Sequence, residues 1–494
     1  MLSKLPRVAQ GLTLLSLPTE LVVNILDELP IRDLICCTQT CKCISKLIKD
    51  TVAFQYKVEL YASKHLDVPQ NKLSKATKLN ILKRYRKIWK TFPTESFKCE
   101  DIPLMEGPLW ELAGGVLAQS KGRRILELHR FESTLRRIPK KMWSIEVDFD
   151  IADFSMDVAQ DLLVAVEALE TSCRVHLLTI STGEKHPLAS SDVLNAGAPR
   201  VDIHERSYNI RVSGEYCGIL ARMFDQAAER YRDSFTLRNW RTGAEICALS
   251  GTDIISFTFL DNKHVALARG FAVEYTVPIT GAITVLNFTK VEDLSQDWQL
   301  WNLEVLCDPA PAWVQSSREE APPPFRINGD DRVAIIRINA ISPNIDDSYD
   351  FFIRPSSLIS FVPDKFAKSA KFISWQKWGP KSRILQGPPA SYVWCYPSFG
   401  SMFASKDDHT GKVVLYDFSP VSIRRAKILG TEENETLVTS VVPTRPRMFN
   451  ELIISGLPYC KILTDLEAKG SLMLSEDSII MVEEDKTNFH VLSL

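Results

Sequence analysis

The sequence predicts a mainly β protein with a small N-terminal α domain: three short helices, a helical linker, then a β-propeller of about seven irregular blades. Three observations carry this reading. Apolar residues recur at helical spacing between residues 15 and 50. From about Gly107 onward, short β-branched and aromatic runs separated by Gly, Pro, Asn and Asp replace that periodicity. Within this second region a strand–turn–strand phrase repeats, and repetition lets a long β region avoid one oversized core.

The helical stretch reads LSLPTELVVNILDELPIRDLICCTQTCKCISKLIKD. In its first helix Leu21, Val22, Ile25, Leu26 and Leu29 share helical spacing, Pro18 marks the start and Glu20 suits the first turn. Pro30 stops the run. The second helix opens near Asp33 and carries Leu34, Ile35, Cys36 and Cys37 with almost no polar side. The third sets Cys41, Ile44, Leu47 and Ile48 on one face and Lys42, Lys46 and Lys49 on another. At about 100° per residue the first apolar stripe is about 140° wide, with Val23 outside it, and the second helix is apolar nearly all round. A unit of about 35 residues cannot bury that much surface alone. Either the rest of this chain or another protein must cover it.

The order Leu17-Pro18, Glu20-Leu21, Ile25-Leu26, Leu29-Pro30, Asp33-Leu34, Cys41-Lys42, Leu47-Ile48 resembles the F-box motif through its whole length. The resemblance implies three helices that bind a Skp-type adaptor and, through it, a cullin-based ubiquitin ligase. It also implies that Leu17, Pro18, Leu21, Ile25, Leu26, Leu29, Pro30 and Leu34 face the adaptor or support that face. On this reading the surplus apolar surface is an interface reserved for another protein.

Composition sets outer limits. Length alone favours about three domains. Hydrophobic content of 45%, charged content of 24% and a net charge of -2 are ordinary for a globular protein and give no reason to expect nucleic acid or anionic membrane as partner. No apolar run is long enough to span a bilayer, and MLSKLPRVAQGLTLLSLP lacks the layout of a secretory signal. The expectation is a cytoplasmic and/or nuclear protein. The 11 cysteines show no paired CxxC spacing, so reduced, buried thiols are expected rather than zinc or disulfides. Asn287-Phe288-Thr289 and Asn434-Glu435-Thr436 then match the glycosylation sequon by chance.

Along the chain, residues 1–14 read as a flexible lead, 15–50 as the F-box-like unit, 51–100 as a helical linker and 101–494 as the propeller. Val52 to Leu66 has helical spacing. Lys72 to Lys90 holds eight basic residues and no acid, with Leu79, Leu82, Arg86 and Trp89 along one side. Such a helix can meet nucleic acid or a phosphorylated partner. The favoured alternative docks Ile81, Leu82, Tyr85 and Trp89 on the next domain, the basic stems snorkelling over it.

In the β region, Val175–Leu188 aligns with Phe235–Ala248 around Thr182-Gly183 and Thr242-Gly243, and Thr280-Gly281 and Thr410-Gly411 read as related hairpin turns. A second phrase, Asp153–Val166, is echoed by Ile255–Leu267 as the opening of a blade. These phrases resemble WD-type blades, Trp240-Arg241-Thr242-Gly243 most closely, although the Gly-His and Trp-Asp dipeptides are mostly missing. Units are expected to start near 107, 143, 201, 251, 325, 372 and 450, with Pro309–Pro324 as a loop between blades. Phe489–Leu494 should complete a blade with strands from another part of the chain. The whole layout resembles fungal F-box proteins with a divergent propeller.

No HExxH, GxxxxGK[ST], GxSxG or strand-borne GxGxxG is present. His176 and His186 flank a turn, Asp407, Asp408 and His409 precede another, and Asp346-Asp347 and Glu483-Glu484 sit in loops and at strand ends. The expected protein is therefore a non-catalytic substrate receptor without cofactor or metal, a monomer within its complex, whose propeller recruits a target protein. An interaction scaffold outside ubiquitin ligation and a propeller hydrolase are the alternatives.

Overall fold

A computed structural model describes residues 13–170, 172–197, 206–225, 230–251, 253–271, 280–288, 304–306, 322–329, 332–342, 345–362, 373, 375–387, 397–444, 452–483 and 487–494. Residues 1–12 of the expected flexible lead, most of Pro309–Pro324, and the expected unit starts at 201, 372 and 450 lie outside these.

Five helices come first: α1 (Thr19–Asp27), α2 (Ile31–Cys37), α3 (Lys42–Asp50), α4 (Val52–Ser63) and α5 (Lys75–Thr91). Pro18 and Pro30 cap the starts of α1 and α2 in extended geometry. Cys41 Sγ accepts the Ile44 amide to cap α3, and Ser74 Oγ accepts the Thr77 amide to cap α5. Val22, Leu26, Leu34 and Ile48 close a small core with Phe54 of α4, so the helical unit continues past residue 50. The helix expected over Val52–Leu66 stops at Ser63 because Lys64 turns left-handed at φ 57°. His65–Asp67 then becomes a strand paired with Phe325–Ile327.

Seven antiparallel blades follow, most of four strands. The first is Trp110–Ala113, Val116–Lys121, Ile125–Arg130 and Lys141–Glu146. The second and third open with Asp153–Asp157 and Arg206–Ser213. The fourth has three described strands, from Ile254–Phe259 to Thr280–Asn287, and the fifth has Glu304–Leu306 at one edge and Arg383–Gln386 at the other. The seventh runs through Gly470–Leu474, Ser478–Glu483 and Asn488–Ser493, and its outer strand is Lys98–Pro103. Lys98 lies opposite Ser493 and Pro103 opposite Asn488, so the last strand does complete a blade with a distant segment.

Several expected unit starts move, each for a structural reason. Residues near 143 are the outer strand of the first blade rather than an opening. Phe325–Ile327 is taken by the pairing with His65–Asp67. The sixth blade starts at Ser398–Phe399 and carries an insertion between its strands Lys412–Asp417 and Tyr459–Glu467. That insertion holds a helix, α6 (Pro420–Leu429), the edge strand Glu435–Val438, and a hairpin of Val442–Thr444 with Ile453–Ser455.

The Thr-Gly turns are three copies of one device. In each, glycine has φ between 71° and 76° and the threonine hydroxyl accepts the amide two residues on: Glu184, Ala244 and Lys412. Thr280-Gly281, also expected to be a turn, lies instead inside the strand Thr280–Asn287. The echoed phrases at 153–166 and 255–267 do form the opening strand pairs of the second and fourth blades.

Candidate protein-binding face

The sequence stripe on α1 divides. Val22 and Leu26 turn inward at 2% exposure, while Leu21 and Ile25, one position earlier on the wheel, stand 48% and 45% exposed. Each pair is spaced i, i+4 and so forms its own ridge, about 100° from the other. Leu34 is fully buried beside Leu26, and Leu17 and Leu29 are half-buried against the same core. Pro18 and Pro30 are exposed at the helix starts. Of the eight candidate residues, Leu26 and Leu34 are therefore interior: Phe54 completes a core that draws them in, and neither side chain reaches the surface. Leu14, Leu15 and Ile35 are exposed as well, although the motif does not single them out. The all-apolar second helix was the available signal for Ile35.

The basic helix is mostly spent on a joint. Leu79, Leu82, Tyr85, Ile88 and Trp89 of α5 bury against Phe399, Val413, Leu415, Ile462, Leu474 and Leu492 of the sixth and seventh blades. Lys78 is buried and donates to Asp67 Oδ1 at 2.8 Å and Val68 O at 2.9 Å. Arg86 pairs with Glu59 of α4, which Arg425 of α6 reaches at 3.5 Å. Lys90 reaches Glu435 at 3.1 Å in the edge strand of the inserted segment. Lys75 lies 3.6 Å from Asp27. The docking-linker reading of residues 72–90 is thus the observed one, and the insertion in the sixth blade buttresses the helices.

A second lock lies beneath α5. Arg136 is 1% exposed and pairs with Glu476 and, at 3.0 Å, with Asp477. Its Nη1 also donates to Phe325 O at 3.4 Å. Glu476 Oε1 accepts the Ile327 amide at 3.1 Å, and the Tyr85 hydroxyl donates to Glu476 O. Burial pushes the Glu476 carboxyl up to about 7 against the opposing pull of Arg136, and burial raises Asp477 too. His65, enclosed by the rings of Tyr85 and Phe325, is pushed down to about 3 by burial and by Arg136. Nothing in the sequence marked this cluster, because Arg136 and Asp477 are 341 residues apart.

The residues considered for catalysis do not converge. His176 stacks on Phe149 at 3.6 Å and lies 3.0 Å from Glu167. His186 packs edge-on to buried Trp240, with Nε2 2.9 Å from Gln160 O. Asp407 Oδ1 accepts the His409 and Thr410 amides, which hold its carboxyl below the usual range and make it a turn residue. Asp346 and Asp347 pair with Ile341 and Ala340 within a strand, and Glu483 accepts from Thr487, while Glu484 lies outside the described residues. Among the described residues no group of three or more His, Cys, Asp or Glu is arranged to hold a metal, the cysteines are free thiols, and no helix is long and apolar enough to cross a membrane.

Comparison with known proteins agrees at the N-terminus: a family profile described as F-box-like matches residues 14–57. No curated protein matches the chain. Among solved structures, the Dos1 propeller is 9% identical with TM-score 0.36, covering 77% of each chain. Hsv2 of Kluyveromyces lactis with its loop 6CD complete is 10% identical with TM-score 0.25, covering 38% of this chain and 62% of that one. Cobalt-substituted Synechocystis ACO is 8% identical with TM-score 0.25, covering 51% and 60%. This chain spans less than two thirds of the last two. The propeller assignment rests on the strand order and the closing pair described above. The chain thus carries an F-box-like domain at residues 14–57, followed by a seven-bladed β-propeller.

Proposed function

We propose that this chain is the substrate-recognition subunit of an SCF (Skp–cullin–F-box) ubiquitin ligase, of the fungal type. F-box domains generally bind Skp-type adaptors. The observation that carries the reading is the ridge of Leu21 and Ile25, apolar and about half exposed on a unit that has already closed its own core. Its exposure supports an interaction site there. Leu17, Pro18, Leu29 and Pro30 border it, and Leu26 and Leu34 hold it from within.

The subunit makes no bond and needs no cofactor. It raises the effective concentration of a target's lysines near a ubiquitin-charged enzyme, so geometry between adaptor and target is what it supplies. The joint through α5, α6 and Arg136 supports that role, because a fixed arm sets a fixed reach. The target protein is held by the propeller, the cullin is reached through the adaptor, and the complex contains one copy in the cytoplasm and/or nucleus. The alternative of a scaffold whose N-terminal unit packs only on its own chain is disfavoured by the exposure of Leu21 and Ile25.

The test is capture of a purified Skp-type adaptor by the full chain and by L21D/I25D. Loss of capture with an unchanged unfolding midpoint supports the assignment; capture that survives in the folded variant refutes it.

A further inference from the structure

The three lysines of α3 have no acidic partner among the described residues. The ion pairs of the neighbouring helices lie elsewhere, with Lys57 and Lys75 both on Asp27 at 3.8 Å and 3.6 Å. Lys42, Lys46 and Lys49 are exposed, and with Thr38, Gln39, Ser45 and Asp50 they line a shallow groove of about 470 Å3. Charge in this unit is segregated. Between Leu14 and Thr40 stand Glu20, Asp27, Glu28 and Asp33 against Arg32, whereas Cys41 to Lys49 holds the three lysines and no acid.

We propose that this groove binds an acidic segment of a partner protein, in extended conformation, with carboxylates at alternate positions. The spacing fits. Lys42 to Lys46 rises about 6 Å along the helix and Lys42 to Lys49 about 10 Å. Alternate side chains of an extended strand recur every 6–7 Å or so, so two successive acids match Lys42 and Lys46, and the flexible stem of Lys49, about 4.5 Å further on, reaches the next. Lysine is a point charge on a flexible stem, suited to carboxylates whose register is loosely set. A compact phosphate site is disfavoured because the hydroxyl and amide donors of the turn before α3 are taken. The Thr38 and Thr40 hydroxyls donate to Ile35 O and Cys37 O, and the Ile44 amide is bound by Cys41 Sγ. A nucleic-acid site is disfavoured because the groove has no arginine and no aromatic for stacking. The proposal goes beyond adaptor capture and does not depend on Leu21 or Ile25.

The experiment uses the full chain and a fluorescein-labelled peptide of alternating Glu and Ser, read by anisotropy at about 25 mM salt, where screening is weak. Saturable binding is expected, weakened at least about tenfold by K42E/K46E/K49E, whose side chains are exposed and leave the helix core intact. Raising salt to about 300 mM should weaken it comparably. K83E/K87E on α5 and L21D/I25D should leave it within twofold, which separates this site both from general basicity and from the adaptor face. Binding within twofold of wild type in the triple variant overturns the proposal. So does the absence of saturable binding, or inorganic phosphate or a thymidine oligonucleotide competing as tightly as the peptide.

Discussion

Replacing Arg136 by Met isolates the lock beneath α5. The substitution keeps most of the buried volume but removes the cation that faces Glu476 and Asp477, both less than a tenth exposed. Breaking a buried pair from one side costs about 3–5 kcal/mol because it strands the remaining charge. Two carboxyls are stranded here, so the upper part of that range is expected, a large share of the 5–15 kcal/mol or so of a typical protein. Urea unfolding followed by tryptophan fluorescence is the assay, since Trp89 sits in the same core. Adding E476Q and D477N to R136M should recover more than half of the loss, because most of it is uncompensated charge. The pH dependence has a definite sign. Burial already holds Glu476 near 7, above its ordinary 4.5, so between those values the folded state keeps a proton that the unfolded chain has released. That contribution is present below about 4.5 and is lost as pH rises through 7. Without Arg136 both carboxyls rise further, so the deficit of R136M should shrink at pH 5 relative to pH 8. A variant within about 1 kcal/mol of wild type, or a deficit that grows on acidification, refutes the reasoning.

Other expectations follow from single contacts. Leu21→Asp with Ile25→Asp should abolish adaptor capture, since each buried apolar side chain contributes about 1.5–3 kcal/mol to an interface. Unfolding of the propeller should be unaffected. Leu26→Ala should act differently, destabilising the helical unit itself by about 2–5 kcal/mol through a core cavity, seen as faster proteolysis within residues 14–57. Gly183→Ala and Gly411→Ala both place a side chain at positive φ, but only at Gly183 does the new Cβ meet a neighbour, Ile145 Cγ2 at 2.6 Å. Thermal unfolding should show G183A clearly below G411A, which carries only the cost of left-handed backbone, about 1 kcal/mol.

What the sequence could show was local. The Thr-Gly turns and the blade-opening phrases were legible because their hydrogen bonds close within a few residues. The apolar excess on α1 was legible as a total, but not its division, since periodicity marks a stripe without saying which ridge another helix will take. Phe54 decides that, from a helix beyond the motif. Blade boundaries slipped where an extra element intrudes, at Phe325–Ile327 and in the sixth blade, because strands there pair out of sequence order. The exposed ends of the insertion, Ile428, Leu429, Val441 and Ile454, gave no signal distinguishable from ordinary strand and helix residues. The Arg136 cluster was invisible for the reason that makes it effective: it joins segments that are remote along the chain.

The closing pair of the ring also orders events in time. Asp101 and His490, which face each other across it, are 389 residues apart, whereas the core of the helical unit needs nothing beyond Phe54. Contacts of short separation form early, and those of long separation late. The helical unit can therefore be complete while strand Lys98–Pro103 still waits, unpaired, for its partner. Until that partner arrives, the strand is an open edge able to pair with other chains, and the seventh-blade part of the seat for α5 is missing. The head of the molecule is finished first, and its aim is fixed last.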